Sequence, residues 1–93
     1  MENKEINSKV NSETSHLDMG KFYFLNNNID EAVAEFKKVL EINPVNAEAY
    51  YNLGLISESG NKIDEAKELY ARALNINPSY KIAREKLEKL IGL

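Results

Sequence analysis

Sliding the sequence along itself by 34 residues brings it back into register. Gly20 falls on Gly54, Asn27 on Asn61, Ile29 on Ile63, and Asp30-Glu31-Ala32 on Asp64-Glu65-Ala66. Leu40 then falls on Leu74, and Ile42-Asn43-Pro44 on Ile76-Asn77-Pro78. These pairs make 10 identities between residues 13–46 and 47–80, where average composition gives about 2. Met19 with Leu53, Phe22 with Ile56, Phe36 with Tyr70 and Lys38 with Arg72 keep their chemistry. A fixed period of this size means that one small supersecondary unit is built twice and must bury its apolar side against a neighbour.

Each unit reads as two helices. Ala32, Phe36, Val39 and Leu40 are spaced i, i+4, i+7, i+8, as are Ala66, Tyr70, Ala73 and Leu74, and again Ala83, Leu87, Leu90 and Ile91. Such spacing lays one apolar stripe along an α-helix. A similar stripe, His16, Met19, Gly20 and Tyr23, marks the first half of unit one. Tyr50, Leu53 and Gly54 mark the first half of unit two, where the stripe ends in Ser57. Asn26-Asn27-Asn28 and Gly60-Asn61 are turn-formers that tolerate left-handed backbone. Asn28 followed by Glu31 has the form of an N-cap arrangement, and Ser79 is positioned to cap a last helix running to about Ile91. Asn43 and Asn77 precede prolines, which push them out of the α region and end their helices.

A helix–turn–helix period of this length, with Leu53-Gly54 (Met19-Gly20 in the first unit), Ala32 and Ala66, Phe36 and Tyr70, Ala73, and Pro44 and Pro78, resembles the tetratricopeptide repeat family. Ala47-Glu48-Ala49-Tyr50-Tyr51-Asn52-Leu53-Gly54 is similar to the family's usual helix opening. The resemblance implies an all-α fold of tandem antiparallel hairpins in a short right-handed superhelix, an α-solenoid. It divides the chain into a flexible tail at 1–12, repeats at 13–46 and 47–80, and a capping helix at 81–93. The polar composition of residues 1–12 predicts disorder, although Ile6 and Val10 are spaced to form a short extra turn. Gly20 and Gly54, each costing about 1 kcal/mol in a helix interior, suggest close helix approach, with Ala32 and Ala66 as the small facing surface. Ser57 and His16 depart from the pattern, standing where a large aromatic is usual.

Composition narrows the function. The chain has 93 residues, 43% hydrophobic and 29% charged, with interspersed signs and a net charge of −3. That is one small domain without the basic footprint that nucleic acid requires. It lacks cysteine, which excludes disulfides and thiolate metal sites and fits a reducing compartment. Neither a membrane-length apolar run nor a leader-like stretch in 1–12 is present, so the expected location is cytoplasmic, with no membrane partner.

Chemistry finds little footing. His16 is the sole histidine, so a metal site or a nucleophile–base pair lacks members, and its place on a helix stripe reads as packing. Asp30-Glu31 and Asp64-Glu65 occupy first helical turns, where negative charge favours the N-terminal end of the helix dipole. The glycines are isolated rather than gathered into a phosphate loop. The expectation is a protein that is not an enzyme and takes no cofactor or metal.

Binding is the better supported role. In the resembled family the first helix of each unit lines a concave groove where partners lie. Carried over, that places Leu17, Lys21, Phe24, Tyr51, Asn52, Leu55, Ile82, Lys86 and Lys89 on or near it. Leu17-Lys21-Phe24 and Tyr51-Leu55 each share a helix face distinct from the packing stripe, and a second apolar face marks a contact surface. Some family members clamp chaperone C-termini with Lys, Asn and Arg. Here Asn52 matches one clamp place, Lys86 stands for an Arg, Lys21 replaces an Asn, and Leu17 and Ile82 replace two lysines, so chaperone-tail binding is disfavoured. The expected partner is a peptide segment or partner helix, with Tyr51 and Phe24 as aromatic contacts, Leu17 and Leu55 as aliphatic floor, and Asn52 bonding peptide backbone. The alternative is a self-associating repeat, a homodimer or part of a larger array, since two repeats leave much apolar surface.

Overall fold

The computed structural model describes the backbone of residues 4–93 and the side chains from residue 11 onward. Five helices follow one another: α1 (Lys4–Leu25), α2 (Ile29–Ile42), α3 (Ala47–Ser59), α4 (Ile63–Ile76) and α5 (Lys81–Leu90). The protein is all-α, with no strand among the described residues. It divides into two compact units, Met1–Pro44 with α1 and α2, and Val45–Leu93 with α3, α4 and α5. Of the tail expected at 1–12, residues 1–3 lie outside the described residues. From Lys4 the backbone is helical and continuous with α1.

Both hairpins reverse through the same backbone device. Asn27 and Asn61 each take a φ of 61°, the left-handed conformation that asparagine tolerates better than other side chains. At the end of α1, the Asn28 N–H donates to Tyr23 O at 2.8 Å and the Asn27 N–H to Phe24 O at 3.0 Å. At the end of α3, Lys62 donates to Ser57 O at 2.8 Å and Asn61 to Glu58 O at 2.9 Å. This paired closure satisfies carbonyls that a helix end otherwise leaves open. Gly60, which the sequence offered as a left-handed candidate, instead has a φ of −89°. α5 ends in a third such closure, with Gly92 at φ 84° and the Leu93 N–H on Glu88 O at 2.8 Å.

Capping corrects the sequence reading. Asn28 does precede α2, but its side chain makes no cap bond. Lys62, which offers no side-chain acceptor, holds nearly the same backbone angles before α4. The closure of the preceding helix therefore sets these residues, not side-chain capping. Ser79 does not cap α5, whose N-cap is Tyr80. Among the described residues the one side-chain N-cap is Asn46, whose Oδ1 accepts from the Ala49 N–H at 2.9 Å. Asn43 and Asn77 end α2 and α4 in extended backbone, as the following prolines require.

Within each hairpin, glycine meets an aromatic ring. A Cβ built on Gly20 would lie 2.6 Å from Phe36 Cε1, and one on Gly54 would lie 2.6 Å from Tyr70 Cε1. The glycines thus admit Phe36 and Tyr70, both wholly buried, rather than facing Ala32 and Ala66 as their immediate neighbours. Burying each ring contributes on the order of 2–3 kcal/mol. In the second unit Tyr51, Ala66, Tyr70, Ala73 and Ala83 form one apolar cluster, with Leu87 and Leu90 of α5 packed against it. Glu88 occupies the α5 position that corresponds to Gly20 and Gly54, and its side chain is exposed.

Candidate functional site

The nine residues expected to line a binding face divide between the two units. Leu17, Lys21 and Phe24 lie in the first, along α1, and all three are half-buried. One helical face away, His16 and Gly20 turn toward α2, with His16 Nδ1 at 2.6 Å from Glu35 Oε1 and Gly20 beneath the Phe36 ring. Met19, expected on the packing stripe with His16, Gly20 and Tyr23, is instead 41% exposed.

In the second unit the outcome differs residue by residue. Tyr51 is a core side chain, 9% exposed, with ring centroids at 5.7 Å from Tyr70 and 5.3 Å from Tyr80. Its aromatic surface is taken up by its own fold. Asn52 is buried, and its Nδ2 donates to Glu48 O one turn back, at 2.8 Å. Leu55 is half-buried against the cluster around Tyr51 and Tyr70. On α5, Ile82 is 48% exposed, Lys86 half-buried and Lys89 exposed. Among the nine expected residues, accessible apolar surface therefore comes from Leu17, Phe24, Leu55 and Ile82, not from Tyr51.

The polar groups near the core are held in defined bonds. Tyr70 donates its hydroxyl to Glu58 Oε1 at 2.7 Å. Burial, then the Glu58 hydrogen bond, pushes that phenol well above its ordinary value. Burial likewise raises Tyr51, with the Glu58 charge adding to it. Tyr80 is pushed up to about 12, first by burial and then by the charges of Glu48 and Tyr51. These phenols stay protonated and structural near neutral pH. Ser57, buried where Tyr23 stands in the first unit, donates its hydroxyl to Glu65. The hydrogen bond from His16 is the main influence holding the Glu35 carboxyl below its ordinary value, against burial, which raises it.

Asp30-Glu31 and Asp64-Glu65 sit in the first turns of α2 and α4, where the dipole argument placed them. Among the described residues no group of three or more His, Cys, Asp or Glu side chains is arranged to hold a metal. No described helix is long and apolar enough to cross a membrane.

Sequence reasoning missed Tyr80, Asn46, Glu58 and Glu35. Glu35 was detectable: the 34-residue alignment sets His16 and Glu35 against Tyr50 and Leu69, two polar residues exchanged for two apolar ones at positions that meet across the hairpin. Tyr80 carried no such sign, because it falls outside both stripes.

Comparison with known proteins agrees with this geometry. A family model described as TPR repeat matches residues 20–58, and one described as tetratricopeptide repeat matches residues 47–80. No curated protein matches the chain. The second match coincides with the second period of the sequence, and the two together take in both glycine–aromatic pairs and both asparagine turns. The chain belongs to the tetratricopeptide repeat family.

Proposed function

We propose that this chain is a protein-interaction module, acting by binding rather than catalysis, and that it takes up a peptide segment or partner helix along the first helices of its repeats. Repeats of this family generally mediate protein–protein contacts or scaffolding. The observation that supports the finer reading is that, within each unit, apolar side chains stay accessible beside the glycine–aromatic contact. Gly20 and Gly54 face Phe36 and Tyr70, while Leu17 and Phe24 on α1, Leu55 on α3 and Ile82 on α5 keep accessible surface. Apolar surface not consumed by a protein's own core marks a contact site. Lys86 and Lys89 lie on α5 and suit acidic groups on a guest. Leu55 packs against the cluster to which Tyr51 belongs.

Affinity capture followed by titration of the captured partner tests the reading. Leu17→Ala/Phe24→Ala and Ile82→Ala should each weaken binding by about 1–3 kcal/mol with helicity retained. A partner bound with unchanged affinity by both variants would refute it.

A second reading, self-association, is favoured by a separate observation. Met19, Phe22 and Leu25 on α1 are 41%, 57% and 85% exposed. Two periods later in the sequence Met19 and Phe22 become Leu87 and Leu90, which pack against the α4 cluster. That register equivalence makes the α1 row a seat for a helix. Mass measurement by light scattering decides it: a strict monomer at high micromolar concentration discards the dimer, and a dimer dissolved by Phe22→Glu supports it.

A further inference from the structure

One bond tying α1 to α2 is not repeated at the corresponding positions of the second unit, where α3 and α4 are joined instead by Tyr70 to Glu58 and Ser57 to Glu65. His16 Nδ1 lies 2.6 Å from Glu35 Oε1, the two side chains being 31% and 15% exposed. Lys38 Nζ stands 3.5 Å from the other oxygen of the same carboxylate. The corresponding residues of the second hairpin are Tyr50, Leu69 and Arg72. There the Arg72 guanidinium carbon lies 5.7 Å from the centroid of the Tyr50 ring. Arginine keeps its charge at every ordinary pH, so that contact does not depend on a carboxylate.

We propose that the His16–Glu35 bond is an acid-sensitive latch on the first hairpin, whose release loosens α1 from α2. It is independent of what the protein binds. Within the first unit, the charged groups around the latch are Lys38 on α2, exposed Glu31 one turn before Glu35, and Glu13 on α1, which accepts from Asn43 Nδ2 at 2.7 Å. The His16 hydrogen bond and the Lys38 and His16 charges hold the Glu35 carboxyl below its ordinary 4.5, outweighing burial. A carboxyl depressed in the folded state stabilises that state fully above its unfolded value. The contribution is lost as pH falls through the lower folded value. The latch contribution is therefore full above pH 4.5 and fades below it, as pH falls toward the lower folded value.

Thermal unfolding of the full chain between about pH 6 and pH 3, with amide exchange read separately for α1 and α3, tests this. Three proteins are compared: wild type, the H16Y/E35L variant that installs the second hairpin's pair, and E35Q. Acidification should lower the folded-to-unfolded ratio of wild type roughly fivefold more than that of H16Y/E35L, the difference between a charge-assisted and an ordinary hydrogen bond. Excess exchange should appear in α1 and not in α3. If H16Y/E35L does not fold, E35Q carries the comparison, because its amide keeps an acceptor for His16 and cannot take up a proton. Equal acid responses in wild type and variant, or an excess of wild-type over variant exchange as large in α3 as in α1, would overturn the proposal.

Discussion

The two hairpins share their backbone-critical positions and differ in the side chains that close each hairpin around them. Both place glycine under an aromatic ring (Gly20 under Phe36, Gly54 under Tyr70), both turn at an asparagine with a φ of 61°, and both end at an Asn-Pro pair. What closes them around that frame is different. The first uses a His16–Glu35–Lys38 set and leaves Met19 and Phe22 exposed. The second uses Arg72 over Tyr50, a Tyr51–Tyr70 and Tyr51–Tyr80 contact chain, and a third helix laid over the cluster. Shape is thus held by few residues, at which steric demands leave little choice. Stability is distributed over positions where several chemistries serve.

The largest effect that probes this contrast is loss of the central ring. Phe36→Ala and Tyr70→Ala should each cost about 3–5 kcal/mol, with Tyr70→Ala the greater because it also strips Glu58 of a donor and Tyr51 of a ring neighbour. Chemical denaturation followed by circular dichroism measures both, and a smaller cost for Tyr70→Ala would contradict the ranking. Next come Gly20→Ala and Gly54→Ala. Overpacking costs about 1–3 kcal/mol while helix propensity returns up to about 1, so a net loss near 1–2 is expected. Equal losses would show that the rings are equally constrained; a gain at either site would mean that its ring can move aside.

Smaller still, Asn27→Ala and Asn61→Ala should each cost about 1 kcal/mol through the left-handed backbone, whereas Asn27→Gly should be near neutral. The last effect is nearly silent at neutral pH. Burial raises Tyr80 to about 12 from an ordinary 10.0, so its neutral form stabilises the second unit fully below pH 10, and that contribution fades as pH rises toward 12. Tyr80→Phe should reduce the alkaline loss of stability, read as thermal midpoints between pH 8 and pH 11.5. An unchanged alkaline slope would remove Tyr80 from this account.

The frame was legible because it is local. A 34-residue period, an i, i+4, i+7 stripe and an Asn-Pro pair are one-dimensional patterns, and the helices and turns they imply are there. Cross-hairpin partners were less legible. Gly54 was rightly taken as a close-approach position, but which side chain fills the space depends on rotamers and helix crossing. Tyr51 shows the limit for the candidate site: spacing put it on one face with Leu55, yet Tyr80, arriving from the link before α5, covers that ring. A link residue outside both stripes leaves no periodic trace.

The three-residue links between helices carry a kinetic consequence. Because Asn26–Asn28 and Gly60–Lys62 reverse the chain so tightly, Gly20 meets Phe36, and Gly54 meets Tyr70, across only a short loop. Short-range closure costs little loop entropy and belongs to the fast end of folding rates, microseconds to milliseconds. Each hairpin has the contacts to nucleate by itself, so partly formed species with one hairpin closed are accessible during unfolding. Melting curves recorded with probes in α1 and in α3 then need not coincide.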